Sequence, residues 1–244
     1  MGHVSTPTVR SSILRGFALV VLAASVSACR PSSVAPTATL GGGGGGGGVA
    51  ADTAGKLSMS ADAWSFKYSS PMPAHPRAAD GGWQFDFPTV KSVGYLTTSQ
   101  RPASATQSIT AVIAVGVVGE PFFEYRTEAV NTCDVPATVR LFVQRKGDDM
   151  SGVGQYEFYR WWSRTAAYQL APGGAVLVGD LTDPRQWSSV LGKDGSASEA
   201  AFRAAMADIG NIGFTFGGGC FYGHGVYLTG SGQAVFTASE FTVR

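Results

Sequence analysis

The stretch ATVRLFVQR, residues 137–145, carries the clearest fold signal in this chain of 244 residues. Its apolar residues Val139, Leu141 and Val143 occupy every second position, which is the period of a β-strand with one buried face. Other segments of strand length also run apolar or alternate, and Gly, Pro, Asp and Ser separate them. Because glycine and aromatic residues are abundant as well, the sequence favours an all-β fold.

Strands are predicted over residues 63–68, 83–87, 92–98, 109–118, 122–126, 137–145, 156–164, 175–181, 212–216, 226–229 and 234–243. The longest apolar run, Ile109–Val118, is β-branched on both faces, which is typical of a central strand covered on two sides. One helix is predicted over Ser198–Asp208, with apolar residues at helical spacing and Gly210 just past its end. This spacing, without βαβ alternation, predicts a two-sheet antiparallel sandwich.

Turn and aromatic motifs follow one another in the C-terminal half of the chain. LAPG at residues 170–173, LTDP at 181–184 and WSSV at 187–190 lead into the predicted helix and the strand IGFTF at 212–216. This succession resembles jelly-roll domains of the galactose-binding-like and carbohydrate-binding-module type, over residues 135–244. The resemblance implies a jelly-roll β-sandwich in which a tryptophan packs beneath a loop and a short helix precedes a core strand. It implies no particular substrate, because jelly-roll domains have many roles.

The first 28 residues have the three parts of an export signal. Arg10 and Arg15 precede the apolar run FALVVLAA at residues 17–24, and the small residues VSA at 26–28 lead into Cys29. The apolar run is shorter than the roughly 20 residues that span a bilayer. This arrangement resembles the lipobox of bacterial lipoproteins, which implies cleavage before Cys29, acylation of its thiol and anchoring in a lipid bilayer. The alternative is an ordinary secretory peptide with a cysteine nearby.

Arg30 follows the predicted lipidation site, where lipoproteins retained at the inner membrane commonly carry Asp. The resemblance to Gram-negative lipoproteins therefore implies a cell-envelope protein at the outer membrane. Residues 29–56 are predicted to form a tether, because the eight glycines at 41–48 have no side chains to bury. The predicted organisation is a signal peptide at 1–28, a lipidated tether at 29–56 and a β-sandwich domain at 57–244.

Charged residues are sparse and balanced, with 18 Lys and Arg against 17 Asp and Glu. No basic run is present, so the electrostatic footprint of a nucleic-acid-binding protein is missing. We therefore exclude nucleic acid as a partner.

Two cysteines, Cys133 and Cys220, remain once Cys29 is assigned to the lipid. In an oxidising envelope compartment the simplest interpretation pairs them in a disulfide bond, which contributes about 4 kcal/mol in the chain-entropy model. Two separate buried thiols are an equally good interpretation. A catalytic cysteine is disfavoured, because only His75 and His224 could serve as its base.

The aromatic stretch YEFYRWWSR, residues 156–164, is the first candidate binding site. On a strand, Tyr159 and Trp161 face one way, while Arg160 and Trp162 face the other way. One of the two tryptophans must therefore point away from the inter-sheet core. An exposed tryptophan beside polar groups suits a sugar ring, which stacks on the indole while the polar groups fix its hydroxyls. The alternative is that one tryptophan fills the core and a loop or the N-terminal segment covers the other.

The glycine-rich segment GGGCFYGHG, residues 217–225, is the second candidate binding site. Its glycines permit a tight turn and the close approach of a partner. Tyr222 and His224 are its candidate ligand-binding residues, and the histidine can titrate near neutral pH. A purely structural histidine in a turn is the alternative.

No catalytic residues are assigned. The Gly-x-Ser-x-Gly and His-Glu-x-x-His motifs are absent, as is a dinucleotide fingerprint followed by an acidic residue, and no second histidine or carboxylate cluster accompanies His224 to form a zinc site. Asp148, Asp149, Asp180 and Asp183 are interpreted as turn residues rather than as the carboxylate pair of a glycosidase. The jelly-roll resemblance allows a structural calcium ion at such turns without specifying its ligands, and no other cofactor is expected.

The sequence thus predicts a non-catalytic lipoprotein of the cell envelope whose β-sandwich binds a carbohydrate. A structural or protein-interaction lipoprotein without a small-molecule site is the alternative. A polysaccharide hydrolase or lyase is favoured less, because its motifs are missing.

Overall fold

A computed structural model of the chain describes residues 55–70, 72–100, 107–126, 135–220 and 222–244. The predicted signal peptide, the lipidation site Cys29 and the glycine run lie outside the described residues, and so does Cys133. None of the helices that the described residues form is long and apolar enough to cross a membrane.

The described residues form mainly β-strands, together with one short α-helix and four 3-10 turns. The strands are β1 (Ser65–Lys67), β2 (Arg77–Ala79), β3 (Gly82–Asp86), β4 (Tyr95–Thr98), β5 (Ser108–Tyr125), β6 (Ala137–Arg145), β7 (Arg160–Gln169), β8 (Gly173–Asp180), β9 (Trp187–Ser189), β10 (Ile209–Gly218) and β11 (Val226–Val243). The helix α1 spans Glu199–Ala207, and the 3-10 turns span Ala61–Ala63, Gly154–Phe158, Pro184–Gln186 and Gly195–Ser198.

The strands are arranged in two antiparallel sheets. The six-stranded sheet has the order β1-β4-β10-β6-β7-β9, and the five-stranded sheet has the order β2-β3-β11-β5-β8. The predicted two-sheet, all-β sandwich is therefore confirmed. Its longer strands pair in a nested way: β3 with β11, β4 with β10, β5 with β8, and β6 with β7. Because these pairs alternate between the two sheets, the connectivity is compatible with a jelly-roll.

The inter-sheet core follows the alternation that the sequence shows. Strand β6 has the predicted bounds, and Val139, Leu141 and Val143 are fully buried in the core. Four tryptophans are also fully buried in it: Trp64, Trp83, Trp161 and Trp187. These large rings supply much of the apolar area that holds the two sheets together.

The predicted helix is confirmed as α1, one residue shorter at each end. It buries Phe202 and Ala205, and the Phe202 ring packs on Trp161 and Trp187 with ring centroids 5.2 and 6.4 Å apart. The Trp187 Nε1 donates to the carbonyl oxygen of Asp180 at 2.7 Å, beneath the turn that follows β8. The tryptophan, the helix and the core strand β10 thus occur in the order that the resemblance implies.

The prediction of a strand over Tyr156–Arg164 is wrong in its first half. Residues Gly154–Phe158 form a 3-10 turn, and β7 begins at Arg160 and continues to Gln169. The aromatic residues of this segment suggested a strand, but the Phe158 ring stacks on Trp161 at 6.2 Å and is half-buried in that position. Tertiary packing therefore overrides local strand propensity here.

Two predicted strand breaks are also wrong. Residues 109–118 and 122–125 belong to one strand, β5, and residues 226–229 and 234–243 belong to β11. Pro121 suggested a break, but β8 pairs only with Ser108–Val115 of β5, so Pro121 lies where β5 has a free edge. A proline is tolerated at such an edge, since no ladder hydrogen bond is lost there.

Strand β5 is central in its sheet but is not covered on two sides. Ile109, Ala111, Ile113 and Val115 are buried in the core, whereas Ala114, Gly116 and Val118 are exposed on the opposite face. The prediction of a doubly covered strand is wrong, because its β-branched residues continue onto an open face. The three-residue strands β2 and β9 are too short to give a periodic signal, and the sequence does not predict them.

Candidate functional site

The outer face of the six-stranded sheet carries the candidate functional site. Side chains of adjacent strands meet there in register, and Phe142 of β6 lies beside Trp162 of β7, which lies beside Ser188 of β9. A second row joins Tyr95 of β4 to Thr215 of β10 and Arg140 of β6. We call this outward-facing set, together with the loops packed on it, the covered face.

Three aromatic rings form a ridge across the covered face. The Tyr95 and Phe142 ring centroids are 4.9 Å apart, and those of Phe142 and Trp162 are 5.6 Å apart. Only 6, 1 and 4% of Tyr95, Phe142 and Trp162 are exposed, so the ridge is a second small core outside the sandwich. Burial raises the pKa of Tyr95 to about 12, although the positive charge of Arg160 opposes the shift.

A buried ion pair fixes the loop after β6 on this face. The Arg160 Nε lies 3.1 Å from the Asp148 Oδ2, and the Asp148 side chain is fully buried. Asp148 also accepts from the Gln144 Nε2 at 2.8 Å and from the Met150 backbone N–H at 3.0 Å. Asp148 therefore does more than form a turn: it compensates a buried guanidinium.

A second arginine holds the loop between β10 and β11. The Arg140 Nη1 donates to the carbonyl oxygens of Ser163 at 2.9 Å and Arg164 at 3.1 Å. Its guanidinium lies 4.2 Å from the centroid of the Tyr222 ring, a cation–π contact that is strengthened by desolvation. Burial lowers the pKa of Arg140 from its usual value. This contact brings Tyr222 and its loop onto the covered face.

One cavity of about 280 Å³ opens beside the ridge. Its described lining residues are Trp162, Arg164, Ser188, Ser189, Val190, Gly192, Cys220, Tyr222 and His224. We call it the Trp162 cavity. It combines two aromatic rings with serine hydroxyls, a guanidinium and an imidazole, which can donate and accept hydrogen bonds.

Arg164 is held at this cavity by Asp194. Its Nη1 pairs with the Asp194 Oδ2, and the Asp194 Oδ1 accepts from the Ser196 backbone N–H at 2.8 Å. That backbone hydrogen bond and the Arg164 charge hold the pKa of Asp194 below its usual range. Asp194 therefore stays ionised at neutral pH and orients Arg164.

The six predicted ligand-binding residues separate into two groups. Trp162, Tyr222 and His224 meet at the Trp162 cavity, although they come from distant parts of the chain. Arg160 lies on the same covered face, but it is buried against Asp148 and is not among the described lining residues.

Tyr159 and Trp161 lie away from the cavity. Trp161 is fully buried in the inter-sheet core, and its Nε1 donates to the carbonyl oxygen of Phe158 at 2.9 Å. Tyr159 packs on Tyr156 with ring centroids 5.0 Å apart, and the Arg145 guanidinium lies 4.8 Å above its ring. One tryptophan points away from the inter-sheet core as expected, but Trp162 is covered rather than exposed, which is the alternative interpretation of this stretch.

Sequence reasoning missed four side chains of this cavity: Arg164, Ser188, Ser189 and Val190. Arg164 stood in the aromatic stretch, but nothing distinguished it from Arg160. Ser188 and Ser189 belong to the three-residue strand β9, whose polar residues resemble a loop. Cys220 also lines the cavity, while Cys133 lies outside the described residues, so their pairing stays a prediction.

The described ranges contain no group of three or more His, Cys, Asp or Glu side chains placed to hold a metal ion. All four aspartates interpreted as turn residues accept from the backbone N–H two residues further on, including Asp148 from Met150 at 3.0 Å and Asp149 from Ser151 at 2.8 Å. Asp180 accepts from the Thr182 backbone N–H at 2.7 Å, and Asp183 accepts from the Arg185 backbone N–H at 3.1 Å.

No family model, curated protein or solved structure matches this chain.

Proposed function

We propose that the β-sandwich binds a carbohydrate, or another small polyhydroxylated ligand, at the Trp162 cavity. The observation that carries the proposal is the convergence of Trp162, Tyr222 and His224 with Arg164 and Ser188 around one opening. Because Trp162 is only 4% exposed, the half-buried Tyr222 ring is the main apolar surface for the C–H face of a sugar, and the polar groups fix its hydroxyls.

Binding without hydrolysis is favoured by the charges at the cavity. The described lining residues include no aspartate or glutamate. A glycosidase needs two carboxyl groups flanking the scissile bond, one as acid and the other as base or nucleophile. Asp194, the nearby carboxylate that orients Arg164, is committed to that ion pair and to Ser196. The lining therefore suits recognition better than catalysis.

A glycan array probed with the purified protein tests this proposal. Tyr222→Ala should weaken binding at least tenfold, because it removes one ring and releases the loop from Arg140. Tyr159→Ala is the matched control, since Tyr159 also lies beneath an arginine but away from the cavity. Ser188→Ala removes a single hydroxyl and should weaken binding without moving the loop. Absence of any glycan ligand, or equal affinities of the two tyrosine variants, would overturn the proposal.

We also propose that Cys29 is acylated and anchors the domain in the bacterial cell envelope, at the outer membrane. The support is the VSA–Cys sequence after a short apolar run. Cells fed an alkyne-bearing fatty acid should label the wild-type protein and leave Cys29→Ala unlabelled. Membrane fractionation should then find the wild-type protein with the outer membrane, and labelling of Cys29→Ala would contradict the anchor.

A further inference from the structure

A second cavity lies on the other side of the aromatic ridge. It has a volume of about 220 Å³, and its described lining residues are Lys67, Tyr68, Tyr95, Thr97, Phe142, Gln144, Met150 and Asn211. We call it the Tyr68 slot. It shares no described lining residue with the Trp162 cavity, because Tyr95 and Phe142 face the slot while Trp162 faces the cavity.

Two residues of the slot have strained backbone conformations. Tyr68 has φ +49° and Met150 has φ +65°, and Lys91 is the only other non-glycine residue with positive φ in the described chain. Such a conformation is unfavourable for a residue with a side chain and persists only where the surroundings impose it. Strain of this kind concentrates at ligand sites, so two cases beside one cavity point to a function there.

Local side-chain hydrogen bonds accompany both conformations. The Ser69 Oγ donates to the Lys67 carbonyl oxygen at 2.7 Å and accepts from the Gly94 backbone N–H at 2.9 Å, which pins the turn at Tyr68. The Met150 backbone N–H donates to the buried Asp148 carboxylate. As a result the Tyr68 ring is 66% exposed, although it contacts Tyr95 edge-on at 6.2 Å. The turn thus holds a large ring in solvent at the mouth of the slot.

The interior of the slot is mainly apolar, and the amide of Gln144 is already hydrogen-bonded at both ends. Gln144 donates to Asp148 and accepts from the Asn211 Nδ2 at 2.8 Å. The remaining walls are the rings of Tyr68, Tyr95 and Phe142, the Met150 thioether and the Thr97 side chain. An aromatic or aliphatic group suits such walls better than a group that needs many hydrogen bonds.

Lys67 gives the slot its only charge among the described lining residues. Its side chain is exposed, and within the described chain no carboxylate lies at ion-pair distance from its ammonium group. The Asp148 carboxylate beneath the slot is neutralised by Arg160. A ligand seated between the rings would therefore meet one uncompensated positive charge.

We propose that the Tyr68 slot binds a small amphiphilic carboxylate, with its single ring or short apolar chain between Tyr68 and Met150 and its anionic end at Lys67. The slot is smaller than the roughly 300–1,000 Å³ of pockets for drug-sized ligands, which limits the apolar part to about one ring. This site is distinct from the carbohydrate site, since the two cavities have no described lining residue in common.

Calorimetric titration of the purified protein with benzoate and with neutral benzamide tests the proposal. Benzoate should bind saturably and two- to fivefold more tightly than benzamide, about the contribution of one exposed ion pair. Lys67→Gln should abolish that preference, whereas Lys193→Gln, an exposed lysine outside the slot, should keep it. Tyr68→Ala should weaken both probes about tenfold, since a ring wall is lost.

Two further results separate this proposal from the carbohydrate proposal. Ser188→Ala should leave benzoate affinity unchanged, because Ser188 lines the Trp162 cavity and not the slot. Failure of benzoate to bind, or a preference over benzamide that survives Lys67→Gln, would overturn the assignment of the slot whatever the glycan array shows. Circular dichroism should show Tyr68→Ala folded, as its ring is mostly exposed.

Discussion

The two outer faces of this sandwich arise from the same strand alternation and differ in what covers them. On the covered face of the six-stranded sheet, Phe142 and Trp162 are 1 and 4% exposed. On the outer face of the five-stranded sheet, which we call the bare face, Val118, Val176 and Val178 are 74, 61 and 55% exposed. The alternation along a strand therefore identifies which side chains point away from the core, but not whether those side chains are exposed to solvent.

The difference lies in the loops and in the charges that hold them. On the covered face, Arg160 with Asp148 fixes one loop, and Arg140 stacked on Tyr222 fixes another. On the bare face β8 and the first part of β5 carry mainly small and β-branched side chains, and the Arg77–Asp86 ion pair is half exposed. The two buried arginines thus accompany a second core and its cavities, because the loops that carry Asp148 and Tyr222 fold onto the sheet.

The largest contrast is expected for apolar truncations on the two faces. Phe142→Ala should cost about 3–5 kcal/mol, as for a buried core phenylalanine. Val178→Ala should cost less than about 1 kcal/mol, because half of that side chain is already in solvent. Urea denaturation of both variants measures the difference. Equal losses would mean that the covered face is not a second core.

Ion pairs on the two faces should differ nearly as much. Asp148→Asn leaves the buried Arg160 without its counter-charge and should cost about 3–5 kcal/mol. Asp86→Asn breaks an exposed pair and should cost at most about 1 kcal/mol. The free energies of unfolding, compared at low and high salt, check both values, and only the Asp86 effect should vanish at high salt.

Sequence reasoning succeeded where the residue pattern within a single strand or helix determines its bounds. The period-two pattern of Val139, Leu141 and Val143 gave β6 its bounds, and the helical spacing around Phe202 gave α1. It did not predict which side chains on the outer faces of the sheets are buried, because burial outside the core depends on segments that are distant in the sequence. Ile109–Val118 seemed doubly covered since nothing local distinguishes an open valine face from a closed one.

The candidate site was predictable only in part for the same reason. Trp162, Tyr222 and His224 stand out by residue type, and the fold brings them together. Asp148 resembled a turn residue, and only the tertiary structure shows it beneath Arg160. No feature of the sequence indicated the Tyr68 slot, because backbone strain and an unpaired lysine are properties of the folded chain.

Alkaline pH should weaken the covered face through Tyr95. Its folded pKa of about 12 lies above the unfolded value of 10, so its contribution is complete below pH 10 and is lost as the pH rises through 12. The loss can reach about 3 kcal/mol. Urea denaturation at pH 9, 10 and 11 should show a flatter pH dependence for Tyr95→Phe than for the wild type. Tyr68→Phe, in an exposed ring, should keep the wild-type slope, and a wild-type slope in Tyr95→Phe would refute the assignment.

The smallest contrast concerns one glycine on each face. Gly223 has φ +77°, and a Cβ there would lie 2.1 Å from the Tyr95 hydroxyl, so Gly223→Ala should cost about 1–3 kcal/mol. On the bare face a Cβ at Gly116 would meet nothing within 4 Å, so Gly116→Ala should stabilise by about 0.4–1 kcal/mol. Thermal unfolding should therefore shift in opposite directions. Both changes add one methyl group. A shift of the same sign in the two variants would therefore show that the covering loop does not account for the difference between the two faces.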